Sequence, residues 1–151
     1  MNNSNNCAKC PAHNKANLVK LGINLENVDY LITMAGNPNT GKSTVFNNLT
    51  GLHQHTGNWP GKTVSRAEGG FIYNNKKYKV VDLPGTYNLS PDSEDQKVAE
   101  RVIRGGEYDL IINVIDATNL SRNLFLTMDL LERTNQVIVL LNMLDVAEKE
   151  G

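Results

Sequence analysis

The sequence predicts an α/β fold in which a mostly parallel sheet lies between two layers of helices. Short apolar runs typical of buried strands alternate with helical periodicity, as where residues 110–116 precede residues 120–133. One pair of runs, residues 67–73 and 76–83, is separated only by two asparagines, which predicts an antiparallel hairpin. At 151 residues the chain is long enough for one such domain with its own core.

Composition and charge are those of an ordinary globular protein. Hydrophobic residues make up 40% and charged residues 21%, which excludes a disordered chain. The formal net charge of −1 gives no whole-chain basic field, so we expect no nucleic-acid partner. The longest apolar runs are far below the roughly 20 residues needed to cross a bilayer, and no signal-peptide pattern opens the sequence. We therefore expect this segment to be soluble and cytoplasmic, with no transmembrane segment.

Residues 1–27 are predicted to be an N-terminal tail and lead-in, ahead of a domain that spans residues 28–151. Within the tail, Cys7, Cys10 and His13 form the pattern C-x-x-C-x-x-H. These three side chains are candidate metal ligands. A structural zinc site needs four ligands and no second pair is present, so a tail with merely exposed thiols remains the alternative.

The first strand is predicted at residues 30–35, and it leads into a glycine-rich motif at residues 36–44. This motif fits G-x-x-x-x-G-K-[ST], the phosphate-binding P-loop, and a helical pattern follows it. Lys42 would reach the β- and γ-phosphates, and the Ser43 hydroxyl would ligate Mg²⁺. We assign nucleotide binding to the whole stretch, which comprises Gly36, Asn37, Pro38, Asn39, Thr40, Gly41, Lys42, Ser43 and Thr44.

Residues 51–64 are predicted to form a loop, because they contain three glycines, a proline and the only tryptophan in a polar stretch. A loop just after the P-loop helix suits a nucleotide-sensing switch. Thr63 can bring its hydroxyl to Mg²⁺ and its N–H to the γ-phosphate. The residues assigned to the nucleotide here are Gly61, Lys62, Thr63, Val64 and Ser65.

The second strand of the predicted hairpin ends in the pattern D-x-x-G, formed by Asp82, Leu83, Pro84 and Gly85. Downstream of a P-loop, Asp82 would hold Mg²⁺ through water while the Gly85 N–H meets the γ-phosphate. All four residues are assigned to the nucleotide site. An ordinary turn at the end of a strand is the alternative.

The rest of the chain is predicted to alternate helices with buried strands. The predicted elements are a helix at about residues 92–104, a strand at 110–116, a helix at 120–133 and a strand at 136–141. In the second of these helices, Leu124, Met128 and Leu131 lie on one face, which we expect to contact the core.

Residues 142–145 follow the last strand and read Asn142, Met143, Leu144 and Asp145. A carboxylate at the end of an N-x-x-D pattern can accept hydrogen bonds from the ring N–H and the exocyclic amine of guanine. Adenine lacks that pair of donors, which makes this stretch the candidate guanine reader. A turn or a helix N-cap is the alternative.

Taken in order, these patterns resemble the first four motifs of Ras-like P-loop GTPases. The similarity in sequence is greatest to the N-terminal G domain of FeoB, the prokaryotic ferrous-iron transporter, and covers about residues 31–145. The stretches that resemble it are the P-loop and residues 57–61, 82–87 and 116–124. The resemblance implies a Ras-like three-layer sandwich that binds GTP, hydrolyses it slowly to GDP and is coupled to Fe²⁺ passage. It also implies a place at the cytoplasmic face of the cell membrane, with the transporter's helical and membrane domains as partners.

The resemblance assigns roles within the site as well. Thr86 stands where Ras-like enzymes often place a water-orienting Gln, so the attacking water would be held by backbone groups of residues 57–61. Asn39 is the position at which potassium-activated relatives coordinate K⁺. The expected catalytic set is Asn39, Lys42, Thr63 and Gly85, with Mg²⁺ on Ser43, Thr63 and Asp82 and K⁺ on Asn39.

The sequence stops six residues after Asp145, before the fifth motif and the last strand and helix of such a fold. We therefore expect a C-terminally truncated, incomplete domain. Two other functions remain open: a GTP/GDP-responsive binding switch without hydrolysis, and a ribosome- or RNA-associated GTPase. The second would require a basic face, which the balanced charge does not favour.

Overall fold

The computed structural model describes residues 23–24, 26–51 and 54–150. The strands are β1 (Tyr30–Gly36), β2 (Gln54–Asn58), β3 (Ser65–Tyr73), β4 (Lys76–Asp82), β5 (Leu110–Asp116) and β6 (Val137–Asn142). The helices are α1 (Lys42–Thr50), α2 (Glu94–Gly105), α3 (Leu120–Leu131) and α4 (Leu144–Glu150), with a short 3₁₀ turn at Ala117–Asn119. The candidate metal ligands Cys7, Cys10 and His13 lie outside the described residues.

The strands form one six-stranded sheet in the order β2-β3-β4-β1-β5-β6. β1 pairs in parallel with β4 and β5, and β5 pairs in parallel with β6. β3 runs antiparallel to β4, and Asn74 and Asn75 between them have φ of 49° and 59°. Asparagine tolerates this left-handed conformation better than most residues, which is why the hairpin turn could be predicted. The expected α/β class is confirmed.

Helices cover both faces of the sheet. Successive side chains of β1 point to opposite faces, and both sets include buried apolar residues, so each face packs against helices. Leu31 and Ala35 are buried in a core cluster with residues of α2 and α3. Ile32 and Met34 are buried on the other face with Phe46 of α1. The three-layer arrangement is therefore confirmed. The first cluster also includes Ile23, so the core reaches into the predicted lead-in.

The loop predicted at residues 51–64 contains a strand that the sequence pattern did not indicate. β2 pairs antiparallel with β3, with His55 opposite Glu68. The side chains of residues 55–58 are exposed. An edge strand is held by its backbone hydrogen bonds, so it does not require the alternation of apolar and polar residues from which strands are predicted.

The prediction that Leu124, Met128 and Leu131 face the core is wrong, because they are 43%, 61% and 55% exposed. The buried side chains of α3 are instead Asn123, Leu126, Thr127 and Leu130. Half of this buried stripe is polar and forms hydrogen bonds; the Asn113 Nδ2, for example, donates to the Thr127 Oγ1 at 2.7 Å. Apolar periodicity therefore indicated the outer face of the helix.

The strand predicted at residues 136–141 is present but is not buried as expected. Ile138, Val139 and Leu141 of β6 are 53%, 43% and 39% exposed. β6 stands at the end of the strand order, so its outer edge has no neighbouring strand among the described residues. Within the described part of the chain, no helix is long and apolar enough to cross a membrane.

Candidate nucleotide-binding site

A cavity of about 480 Å³ opens where β1 ends and α1 begins. Parallel strands present their carboxyl ends at one edge of a sheet, and ligands of such folds bind there. The lining residues are Asn37, Pro38, Asn39, Gly41, Lys42, Ser43, Gly85 and Asp95. The structure thus brings the predicted P-loop together with the glycine of the D-x-x-G pattern.

The turn of the P-loop depends on glycine at position 41. Gly41 has a φ of 78°, and a Cβ placed there would lie 2.3 Å from the Asn142 Nδ2. Asn39 adopts a φ of 63° and is exposed. The buried Thr40 closes the turn, because its Oγ1 donates a hydrogen bond to the Asn37 carbonyl at 3.1 Å. The P-loop conformation is therefore held by its own positive-φ residues and by an internal hydrogen bond, and its backbone lies beside the cavity.

The Lys42 side chain is buried and points toward the end of β4. Its Nζ donates a hydrogen bond to the Leu83 carbonyl at 2.7 Å and forms an ion pair with the Asp82 carboxylate. Burial raises the pKa of the Asp82 carboxyl above its ordinary value, while the charge of Lys42 and its hydrogen bond act in the opposite direction. An anion that entered the cavity would compete with Asp82 for this ammonium group.

The D-x-x-G segment runs directly against the P-loop. The Leu83 N–H donates to the Met34 carbonyl at 3.0 Å, and the Thr86 N–H donates to the Gly36 carbonyl at 3.1 Å. A Cβ at Gly85 would lie 3.2 Å from the Pro38 backbone, which is tighter than most contacts of this kind. Glycine therefore allows the close approach that the predicted N–H contact to a phosphate requires.

The N-x-x-D segment is tied to the P-loop across 102 positions of sequence. The Asn142 Nδ2 donates a hydrogen bond to the Thr40 carbonyl at 2.9 Å. Asp145 lies in the first turn of α4 and is exposed. Between them, Met143 has a φ of 59° and Leu144 is 49% exposed. The amide thus supports the loop, and the carboxylate is open to solvent.

The candidate switch loop is anchored by its tryptophan. Trp59 is 1% exposed and belongs to the core cluster that includes α2. The backbone N–H of Trp59 donates to the Val64 carbonyl, and the Trp59 carbonyl accepts from the backbone N–H of Lys62, each at 3.0 Å. Lys62 also forms an ion pair with Glu94 at the start of α2. The sequence had suggested only a polar loop, without this buried anchor.

The structure does not bring Thr63 to the P-loop cavity, since Thr63 is exposed and is not among the lining residues. Gly61 is also exposed, Val64 is buried, and Ser65 is the first residue of β3. The roles of these residues toward a nucleotide stay predictions.

Asp95 is a lining residue that the sequence analysis missed. It lies in the first turn of α2, whose start is fixed by a capping box. The Ser93 Oγ accepts from the Gln96 N–H at 3.2 Å, and the Gln96 Oε1 accepts from the Ser93 N–H at 2.9 Å. The helix was predicted to begin at Asp92 and begins at Glu94. An acidic first turn just after D-x-x-G was the available signal.

The described residues contain no group of three or more His, Cys, Asp or Glu side chains that could hold a metal ion. The ligand set predicted for Mg²⁺ relies instead on hydroxyl oxygens beside one carboxylate. Ser43 lines the cavity and is exposed, and the adjacent Lys42 pairs with Asp82. Oxygen donors of this kind suit Mg²⁺, which keeps several waters and a phosphate among its ligands.

Comparisons with known proteins identify relatives of this chain. A family model described as ferrous iron transport protein B matches residues 30–151. The Fe(2+) transporter FeoB of Salmonella typhimurium is 53% identical over 123 residues, which are 79% of this chain and 16% of that protein. The chain therefore spans about one sixth of the length of such curated relatives.

Solved structures of similar chains are G domains and cytosolic domains. The G domain of the T. maritima FeoB iron transporter is 41% identical with a TM-score of 0.77, covering 80% of this chain and 76% of that one. An S. thermophilus NFeoB mutant bound to GDP is 46% identical with a TM-score of 0.76, covering 81% of this chain and 47% of that one.

Proposed function

Because the chain belongs to the ferrous iron transport protein B family, we propose that it is a G domain that binds GTP and GDP within a ferrous-iron transporter. The observation that carries the proposal is the contact between the Asn142 amide and the Thr40 carbonyl. This hydrogen bond holds the N-x-x-D segment beside the P-loop, so a nucleotide whose phosphates are held there would present its base to Asp145. The GDP bound by the S. thermophilus relative supports the choice of guanine.

We propose that phosphate binding redirects Lys42 from Asp82 and the Leu83 carbonyl to the β- and γ-phosphates. Ser43, with Asp82 through water, would hold Mg²⁺, which when bound offsets phosphate charge. The Gly85 N–H would donate to the γ-phosphate, and Thr63 would join when the switch loop closes. Asn39 lines the cavity, is exposed and carries an amide oxygen suited to K⁺.

We propose that hydrolysis of GTP is slow because the residue after D-x-x-G, Thr86, cannot orient water. Thr86 is 5% exposed and its N–H is held by the Gly36 carbonyl, so its side chain is not presented to the cavity. With no Gln there to orient water, we propose that backbone groups of residues 57–61 hold the attacking water. The transition state would then be stabilised mainly by Lys42, the Gly85 N–H and bound cations.

A nucleotide titration tests the assignment of guanine. GTP, GDP and ATP would be titrated with Mg²⁺, and GTP turnover compared in K⁺ and Na⁺. We expect tight binding of GTP and GDP, weak binding of ATP, loss of binding in Lys42→Ala, and turnover several-fold slower in Na⁺. ATP that binds as tightly as GTP would overturn the role of Asn142 and Asp145, and equal turnover in both salts would overturn that of Asn39.

A binding switch without hydrolysis is the second candidate, favoured by the buried Thr86. A single-turnover assay separates the two. GTP that stays intact for hours in K⁺ and Mg²⁺, while the affinities for GTP and GDP differ, would support the switch. Coupling to Fe²⁺ transport is tested in the full-length relative, where the substitution equivalent to Lys42→Ala should abolish Fe²⁺ uptake.

A further inference from the structure

One residue at the start of α3 contacts both the P-loop and the segment that follows D-x-x-G. The Arg122 Cζ lies 4.2 Å from the centroid of the Tyr87 ring, a cation–π contact. The Arg122 backbone carbonyl accepts a hydrogen bond from the Asn37 Nδ2 at 3.3 Å. Arg122 therefore lies between two segments that the sequence separates by about 50 positions.

The backbone around Arg122 is fixed by the next residue. The Asn123 side chain is buried, its Oδ1 accepts from the Asp116 N–H at 3.3 Å, and its Nδ2 donates to the Asn119 carbonyl at 2.8 Å. The Asp116 carboxylate in turn accepts from the Thr118 N–H at 2.8 Å. The end of β5 and the first turn of α3 are thereby joined, so the Arg122 carbonyl is held in place for Asn37.

Hydrogen bonds hold the chain both before and after Tyr87. Before it, the Thr86 N–H bonds to the Gly36 carbonyl at 3.1 Å. After it, the Leu89 N–H donates to the Asp129 Oδ2 of α3 at 3.0 Å, and the Leu89 side chain is 2% exposed. The contact between Arg122 and Tyr87 lies between these two hydrogen bonds in sequence, so it adds a third link from residues 85–88 to α3.

We propose that Arg122 is a positioning residue for GTP hydrolysis. By stacking on Tyr87, its guanidinium keeps the D-x-x-G turn against the P-loop and the Gly85 N–H aimed at the site of the γ-phosphate. This inference rests on the proposed GTPase function. GDP carries no γ-phosphate, so loss of the stack affects the triphosphate state and leaves GDP binding unchanged.

Matched variants separate positioning from general stability. Arg122→Gln and Tyr87→Leu remove the stack, and Tyr87→Phe keeps the aromatic ring. Arg104→Gln and Tyr73→Leu are the controls, since Arg104 is in a surface ion pair on α2 and Tyr73 is exposed at the hairpin. Measurements are kcat for GTP with Mg²⁺ and K⁺, the Kd for GDP, and the urea midpoint of unfolding.

We expect Arg122→Gln and Tyr87→Leu each to lower kcat about two- to fivefold, the size of an exposed cation–π contact, with an unchanged Kd for GDP. Combining them should lower kcat no further than either alone. Tyr87→Phe and the two controls should keep the wild-type kcat. An unchanged kcat in Arg122→Gln would overturn the proposal, as would parallel losses of kcat, GDP affinity and the urea midpoint, which indicate a merely structural contact.

The wild-type protein in the same assays distinguishes this proposal from the function on which it rests. Wild-type protein that binds no guanine nucleotide would overturn both. If it binds GTP without turnover, the GTPase assignment fails, and affinities for a non-hydrolysable GTP analogue and GDP test the positioning role. Arg122→Gln must then lose affinity for the analogue two- to fivefold relative to GDP; an unchanged ratio overturns the proposal.

Discussion

Position 41 of the P-loop disfavours a side chain, for two separable reasons. Its φ of 78° is the left-handed conformation that L-residues avoid, and a Cβ there would collide with the Asn142 amide. Gly106, at the end of α2, shares the first constraint with a φ of 65° but has open space around it. The two glycines therefore form a matched pair in which only one touches the candidate site.

We expect Gly41→Ala to lower GDP affinity about tenfold or more, because the added methyl displaces Asn142 and breaks its bond to the Thr40 carbonyl. Gly106→Ala should cost about 1–2 kcal/mol of unfolding free energy from backbone strain and leave GDP affinity unchanged. Fluorescent GDP titration and urea denaturation measure the two quantities. Equal affinities in the two variants would contradict the role given to the contact with Asn142.

The sequence predicted the site residues that are encoded locally. Lys42, Ser43 and Gly85 lie within short motifs whose spacing follows from phosphate geometry, and the structure places all three at the cavity. Asp95, which lines the cavity, and Arg122, whose role we propose, were not predicted because their relevance depends on contacts between distant segments. The bond from Asn37 to Arg122, for example, spans 85 positions. No local pattern predicts which carbonyl such an amide reaches.

At the scale of elements, the candidate switch loop and α2 are joined by an ion pair between Lys62 and Glu94 as well as by Trp59. A hydrogen bond from Lys62, and a smaller effect of one from Lys97, hold the pKa of the Glu94 carboxyl below its ordinary value. A carboxyl whose pKa is lower in the folded state stabilises the fold above its unfolded-state pKa. That contribution is lost as pH falls through the folded-state pKa, so the link is intact at neutral pH and breaks in acid.

We expect Lys62→Ala to raise the pKa of Glu94 more than Lys97→Ala does, because the bond to Lys62 is the larger of the two effects. NMR titration of the Glu94 side-chain carboxyl carbon measures its pKa directly in the wild type and in each variant. Lys79→Ala, on β4, is a control that should leave the Glu94 pKa unchanged. The reverse order of the two shifts would mean that Glu94 pairs mainly within its own helix.

The two faces of α3 make opposite predictions about stability. Leu126 and Leu130 are 1% and 0% exposed, so truncation of either to Ala should cost about 2–5 kcal/mol of unfolding free energy. Leu124→Gln and Met128→Gln should each change it by about 0.5 kcal/mol or less, because both side chains face solvent. Urea denaturation of the four variants measures the difference. Large losses in the second pair would show that the outer face is covered in solution.

This helix also marks a limit of sequence-based prediction. Its outer stripe is apolar, and its inner stripe includes Asn123 and Thr127, which are buried because Asp116, Asn119 and Asn113 supply their hydrogen-bond partners. Periodicity of hydrophobic residues located the helix correctly and then indicated the wrong face. Burial of polar groups is decided by available partners, and those are known only once the strand and the helix are packed together.

At the scale of the whole molecule, the candidate site brings together segments that are far apart in the sequence. β1 lies at the centre of the strand order, between β4 and β5, and its carboxyl end leads into the P-loop. The residues at the ends of β4 and β6 contact that loop: the Leu83 carbonyl accepts a hydrogen bond from Lys42, and the Asn142 amide donates one to the Thr40 carbonyl. A nucleotide bound there would connect three strands and two helices, so its binding should stabilise the fold as a unit.

A ligand that binds only the folded state adds RT ln(1 + [L]/Kd) to the unfolding free energy, about 2.7 kcal/mol at one hundred times Kd. For a chain of this length we expect GDP with Mg²⁺ to raise Tm by about 5–10 °C. Lys42→Ala should unfold at the same temperature with and without GDP, since it lacks the ammonium that holds the phosphates, while Tyr73→Leu should keep the full shift. Calorimetry measures each Tm. A shift of equal size with ADP would contradict guanine recognition by Asp145, and a shift that survives in Lys42→Ala would place the nucleotide outside the P-loop cavity.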